Sequence, residues 1–228
     1  MKRILVIDIG GSKVKAMMSR TERRKFESGT EMTPNVFAER LPPLLEGWKF
    51  DAVAIGFPAP VQGGQIMVDP KNLGSGWAGF DFRKVLSKPV RVINDAAMQA
   101  LGSYHGGRML FLGLGTGIGS TVIWKNNVLS LELGDLPNVN HESLEEFLGK
   151  DGLDKLGKKT WRKEVDEVVR RLKVAFIADY VVLGGGNAKL LKKLPDGVER
   201  GHNRNAYLGG TRLWQNDART RHAKWHFI

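Results

Sequence analysis

The chain has 228 residues, 42% hydrophobic and 26% charged, enough to bury a substantial core in one large domain or two small lobes. It has no cysteine, which excludes disulfides, thiolate nucleophiles and cysteine-ligated zinc. The net charge of +11, from 35 basic and 24 acidic side chains, lacks the interleaved aromatics of a nucleic-acid platform and excludes specific nucleic-acid binding as a leading reading. Much of the excess sits in runs such as Lys158, Lys159, Arg162 and Lys163, or Lys189, Lys192 and Lys193, which read as solvated helix faces.

No stretch approaches the roughly 20 apolar residues of a membrane span. Asp8 cuts the apolar run from Ile4 to Ile7 short of an export signal, so the expected location is cytoplasmic. Ile4–Ile9 reads as a buried strand entering a turn at Gly10-Gly11, and 13–19 and 24–28 continue as strands. Phe37, Leu41, Leu44 and Leu45 follow helical spacing, with a break or kink expected at Pro42-Pro43. Strands over 51–55 and 90–93 follow, the second ending at Asn94-Asp95 before a helix over 96–104. The pattern then restarts. A strand over 109–114 runs into Gly115-Thr116-Gly117, strands over 118–124 and 128–132 flank an Asn126-Asn127 turn, and a helix covers 143–148. Trp161, Val165, Val169 and Leu172 mark one face of a longer helix that Thr160 is placed to cap. A strand over 180–183 enters Gly184-Gly185-Gly186 before a further helix, and another helix is expected over 206–214. The polar tail from Gln215 reads either as a docked extension or as partly disordered. Two segments with one plan imply two α/β lobes with mixed sheets, divided near 106/107.

Five constellations bear chemistry. Asp8-Ile9-Gly10-Gly11-Ser12-Lys13 ends a strand in a carboxylate and offers glycine backbone and side-chain donors to phosphate, and Asp8 suits a hydrated Mg²⁺. A plain hairpin turn explains the same residues equally well. Gly115, Thr116 and Gly117 hold the equivalent place in the second half, so two glycine turns would approach a phosphate chain from opposite sides. Asp95, at a strand end, is either the carboxylate that takes a hydroxyl proton or the cap of the next helix, and both roles are compatible. Gly184, Gly185 and Gly186 would let a nucleoside lie against the backbone, or simply turn the chain. Glu132 and Asp135, with Glu142, Glu145 and Glu146 downstream, suit paired sugar hydroxyls, while His141 has no companion at metal-ligand spacing.

In order, the segments DIGGSKVKA, GFPAPV, NLGSGWAGFDF, VINDAAMQALG, FLGLGTGIGS, LELGD, YVVLGGGNA and NAYLGGTRLW resemble the ROK family of sugar kinases, nearest its polyphosphate-glucokinase branch. The resemblance spans nearly the whole chain. It implies the actin-like ATPase fold: two RNase-H-like lobes, 1–106 and 107–228, around a cleft, with the last helix returning to the first lobe. It implies phosphoryl transfer from ATP or polyphosphate, with Mg²⁺ and no zinc, to a hexose hydroxyl, in a homodimer. Asp95 would then be the base. Asp8, Gly10, Gly11, Ser12 and Lys13 would form one phosphate turn, with Asp8 reaching Mg²⁺ through water, and Gly115, Thr116 and Gly117 the other. Gly184, Gly185 and Gly186 would line the nucleoside side. Asn72, Asn94, Asp95, Glu132 and Glu145 would contact the sugar, with Asp135 standing where the family usually has histidine. The alternatives are a sugar- or nucleotide-binding regulator without activity and a same-fold kinase for a non-sugar alcohol. Family repressors carry a helix-turn-helix ahead of the kinase fold, which a first strand at Ile4 leaves no room for.

Overall fold

The structure is a computed structural model describing residues 2–137, 143–202, 204–218 and 220–228, so His141 and Glu142 lie outside the described residues. Two compact units emerge: Met1–Gly102 with Arg204–Ile228, and Ser103–Asn203. The first division therefore falls after Gly102 rather than at 106/107, and the C-terminal segment belongs to the first unit.

The first unit contains β1 (Ile4–Ile9), β2 (Lys13–Met17), β3 (Arg23–Glu27), α1 (Pro34–Leu45), β4 (Ala52–Phe57), the short β5 (Val61–Gln62) and β6 (Gln65–Ile66), α2 (Arg83–Leu86), β7 (Val90–Asn94) and α3 (Asp95–Ser103). Its sheet runs β3-β2-β1-β4-β7, antiparallel across β1 to β3 and parallel across β1, β4 and β7. All six residues of β1 and of β4 are buried, as strands covered on both faces must be. On one face Leu5, Ile7, Ile9, Val53, Ile55 and Phe57 join Phe37, Leu41, Trp77 and Phe82. Burial of each such side chain is worth about 1.5–3 kcal/mol.

Val6 points to the opposite face, and the last helix lies there. A Cβ added to Gly210 would stand 2.5 Å from Val6 Cγ1, and one on Gly209 would strike the Met98 carbonyl. Gly102 likewise abuts the Asn205 carbonyl. Hydrogen bonds from Arg212 to the Leu101 carbonyl and from the Tyr207 hydroxyl to the Met18 carbonyl complete the attachment. Described residues of the tail are hydrogen-bonded to one another: Lys224 N–H donates to the Gln215 carbonyl, and Asp217 N–H to that of His222.

Helix α1 does not break at Pro42-Pro43 but continues to Leu45. The prolines fall in its last turns, and Arg24 reaches across to donate to the Leu44 and Glu46 carbonyls at the frayed end. At the other end Thr33 caps Val36 N–H and Pro34 occupies the first turn, where its missing donor costs nothing.

The second unit repeats the plan. It holds β8 (Met109–Leu114), β9 (Ile118–Trp124), β10 (Asn127–Leu131), a 3-10 turn at Leu133–Asp135, α4 (Leu144–Leu148), α5 (Lys150–Ala175), β11 (Tyr180–Gly184) and β12 (Val198–Arg200). The order within it is β10-β9-β8-β11-β12, the same hairpin-then-parallel sequence as in the first unit. α4 opens on a capping box between Ser143 and Glu146. α5 starts at Lys150, earlier than predicted. Its interruption is at Gly157 (φ 68°, ψ 157°), so Thr160 lies inside the helix rather than capping it. Trp161, Val165 and Val169 are buried as the periodicity predicted, and the Trp161 indole donates to the Leu148 carbonyl. On the exposed side Arg170 and Arg171 pair with Asp166 and Glu167 one turn away. The helix expected after Gly184-Gly185-Gly186 is only a 3-10 stretch, Gly186–Leu190. A final helix, α6 (Asn205–Arg212), carries the chain back into the first unit. Among the described residues no helix is long and apolar enough to cross a membrane.

Candidate active site

In the first unit the predicted residues gather at the carboxyl ends of β1, β4 and β7. Asp8 is 7% exposed and pairs in register with Gly56 of β4. Registered neighbours share a face, so Gly56 presents its bare side where Asp8 presents its carboxylate. That bare side accommodates α3: a Cβ on Gly56 would stand 2.4 Å from Met98 Cε and 3.3 Å from Asp95 Cα. Asp8, at the end of β1, and the first residue of α3, after β7, therefore lie on one face of the sheet with β4 between their strands.

Asn94, not Asp95, performs the cap. Its Oδ1 accepts the Ala97 N–H at 3.1 Å and its amide donates to the Ala59 carbonyl at 3.4 Å. Asp95 is the first helical residue, half-buried, with Oδ1 accepting the Ala96 N–H at 2.7 Å.

The first glycine turn is closed by Gly10 N–H donating to the Lys13 carbonyl at 3.0 Å and buttressed by Ser28, whose hydroxyl donates to the Gly10 carbonyl. Gly11 is in contact with Asn72: an added Cβ would come within 2.8 Å of Asn72 Cβ. Ser12 at the tip is exposed. Lys13 lies 3.4 Å from Glu27 Oε1, its partner in register on β3. The lysine on Asp8 is Lys15, with Nζ 2.9 Å from Oδ2. Alternation along β2 puts residues 13 and 15 on the same face as Asp8, a signal in the sequence from which Lys15 could be found.

The loop that carries Asn72 has its own clamp. Asp69 Oδ1 accepts the N–H groups of Trp77 at 2.6 Å and Ala78 at 2.9 Å, and Oδ2 accepts that of Gly76 at 2.9 Å. These three donors hold the Asp69 carboxyl below its ordinary range.

In the second unit the predicted residues cluster around the second turn, closed by Gly115 N–H donating to the Gly117 carbonyl at 3.0 Å. The Glu145 carboxylate lies against it. Oε2 accepts the Ile118 N–H at 3.3 Å and would be 2.2 Å from a Cβ on Gly117. Glu145 also borders Gly134, whose added Cβ would sit 3.4 Å from Glu145 Cβ, and this brings in the Glu132–Asp135 turn. That turn is held by Asp135 N–H on the Glu132 carbonyl, and by Ser120, whose Oγ accepts the Leu133 N–H. Glu132, Asp135 and Thr116 are exposed.

The third glycine cluster is joined to the second turn. Gly185 (φ 80°) packs on the Leu114 backbone, with an added Cβ 2.3 Å from its carbonyl oxygen, and Asn187 donates to the Gly115 carbonyl at 3.1 Å. Gly186 has open space instead. Among the described residues no three His, Asp or Glu side chains form a metal-binding group.

This mixed α/β architecture is the actin-like ATPase fold of sugar kinases. It matches an inorganic polyphosphate/ATP-glucomannokinase from Arthrobacter sp. strain KM with a TM-score of 0.79 at 23% identity, over 92% of this chain and 97% of that one. It also matches a ROK family glucokinase from Streptomyces griseus, in complex with glucose and AMPPNP, with a TM-score of 0.71 at 16% identity, over 92% and 98% of the two chains. The chain belongs to the ROK family, whose pattern matches residues 4–152. Among curated relatives, the polyphosphate glucokinase of Mycobacterium leprae is 27% identical over 203 residues, covering 79% of this chain. The chain spans 62% of that relative's length.

Proposed function

We propose that the protein is a sugar kinase transferring the terminal phosphoryl group of ATP or polyphosphate to a hexose hydroxyl. The observation that carries this reading is the division of labour at the end of β7: Asn94 caps α3, and the next residue, Asp95, sets a carboxylate at the start of that helix, on the sheet face of the buried Asp8 with β4 between the two strands.

Asp95 accepts the proton of the acceptor hydroxyl as that oxygen bonds to phosphorus. The bond from phosphorus to the bridging oxygen breaks, and ADP or a shortened polyphosphate leaves. Asn94 fixes where α3 begins and so where Asp95 stands. Asn72, Glu132, Asp135 and Glu145 supply hydrogen-bonding groups for the remaining sugar hydroxyls, each carboxylate able to accept more than one. The backbone N–H groups of the two glycine turns receive phosphate oxygens, and Gly184, Gly185 and Gly186 border the nucleoside when ATP is the donor.

The chemistry at Asp8 fits Mg²⁺ held through water. One carboxylate, with one oxygen already on Lys15, is too small a donor set for a cage but suits an ion that keeps its waters and takes phosphate oxygens. Bound with the donor, Mg²⁺ neutralises charge on the phosphates.

The test is phosphoryl transfer to a panel of hexoses and amino sugars, with Mg-ATP and Mg-polyphosphate supplied separately and Asp95→Asn run alongside. Turnover with at least one donor, lost in the variant, is the expected result. Binding of sugar or nucleotide without turnover on any pair would overturn the kinase in favour of a non-catalytic sensor.

A further inference from the structure

Residues 69–78 form a loop secured at four places. At its base the Asp69 carboxylate gathers three successive backbone N–H groups, those of Gly76, Trp77 and Ala78, between 2.6 and 2.9 Å. Behind it Gly74 packs on 30–33: its N–H donates to the Met32 carbonyl, and an added Cβ would stand 2.9 Å from the Thr30 carbonyl oxygen. Trp77, fully buried, donates its indole N–H to the same Met32 carbonyl and sits among Phe37, Phe57, Phe80 and Phe82. In front, Asn72 rests on Gly11 of the first glycine turn.

Two of these fastenings are made at Gly74 and Trp77, on the far side of Asn72 from Asp69. On the other side Pro70 is buried and its carbonyl accepts the Leu73 N–H at 3.4 Å, which leaves the exposed pair Lys71-Asn72 at the tip. The Asp69 carboxylate then ties that side of the tip to 76–78. Its chemistry suits the closure, since an acceptor-only group with two oxygens meets three donors that point to one place.

We propose that Asp69 is a positioning residue for acceptor recognition, holding the loop so that Asn72 stays seated against the first glycine turn. This rests on the kinase reading. Asp69 acts through Asn72 rather than by touching the sugar. In Asp69→Asn the amide keeps one acceptor but turns an N–H toward a backbone N–H, so the closure opens while side-chain volume is retained.

The experiment measures acceptor KM, donor KM and kcat for wild type, Asp69→Asn, Asn72→Ala and the double variant, using whichever hexose the wild type turns over. Amide exchange is followed at Gly76, Trp77 and Ala78. The expected result is an acceptor KM raised about five- to twentyfold in Asp69→Asn, with donor KM and kcat little changed and the three amides exchanging faster. The double variant should match Asn72→Ala alone, because both changes remove one contact. A general loss of folded protein would instead lower kcat and leave both KM values in place.

An unchanged acceptor KM, or an effect that adds in full to that of Asn72→Ala, overturns the assignment while leaving the kinase standing. A wild type that neither binds nor phosphorylates any hexose removes the kinase reading and this role together. Amide exchange would then still report whether Asp69 closes the loop.

Discussion

The two glycine turns come from the same strand–turn–strand plan, yet their surroundings differ in kind. The first ends a strand whose Asp8 is held by Lys15, and it meets a neutral amide, Asn72. At the second a lysine, Lys150, is tied by its backbone N–H to the Thr116 carbonyl. Other neighbours of this turn are the Glu145 carboxylate, on Gly117 and Ile118 N–H, and the Asn187 amide on the Gly115 carbonyl. Duplication thus preserved the backbone device while the two copies acquired different electrostatics. The first turn carries a carboxylate held by a lysine, and the second a carboxylate held by a backbone N–H beside close glycine–backbone contacts.

The comparison is broken most directly at Asp95, on the charge side. Asp95→Asn should lower kcat by about 10²–10⁴-fold, the range for loss of a general base. Its melting temperature should stay near wild type, because Asn94 holds the cap; steady-state kinetics with a thermal melt would show both. A melt shifted as far as activity would mean that Asp95 is structural.

The steric side is tested by neighbouring glycines. Gly185→Ala combines a positive φ with a 2.3 Å approach to the Leu114 carbonyl and should destabilise by about 2–3 kcal/mol in urea unfolding. Gly186→Ala enters open space and should change stability by less than about 0.5 kcal/mol. Equal effects would dissolve the claim that packing dictates this turn.

Lys15→Met probes the lysine–carboxylate pair of the first turn. It strips a 9%-exposed carboxylate of its partner, but the lysine itself is 43% exposed, so about 1–2 kcal/mol is expected from the same unfolding curves.

The smallest effect is acid sensitivity in the first unit. Asp69 is lowered by three backbone donors, and Asp81 is lowered to about 2, chiefly by the Arg83 side chain. Folded values below the unfolded one mean that their stabilisation is complete above about pH 4 and is lost as pH falls below it, for Asp81 through about 2. Both groups are exposed, so the loss is modest. Asp69→Asn with Asp81→Asn should flatten that limb of a pH–stability profile.

The longer strands were legible because buried strands here are unbroken apolar runs ending in glycine or a carboxylate, as at Ile4–Ile9 and Tyr180–Gly184, whereas β5, β6 and β12, of two or three residues, left no such run. Gly11 was legible as a turn residue. That it touches Asn72, far along the chain, was not, because glycine leaves no mark of what approaches it. Pro42-Pro43 misled because the rule against helical proline is weak where the helix is about to end. Asp69 carried no signal at all: its partners are backbone N–H groups, to which the identities of Gly76, Trp77 and Ala78 give no clue. Lys15 was readable in principle from strand alternation, but adjacency to the glycines drew attention to Lys13.

The return of α6 to β1 has a consequence for biogenesis. The first unit is assembled from segments on either side of the second, so Gly209 and Gly210 leave the ribosome only after the whole second unit has been made. Until they do, the Val6 face of β1 lacks its cover, although its neighbours β2 and β4 were made long before. The second unit is contiguous in the chain, so its strands β8 to β12 are all made before α6. Folding of this chain is therefore expected to finish in the reverse of its written order, and the opening strand is exposed to misassociation for the longest time.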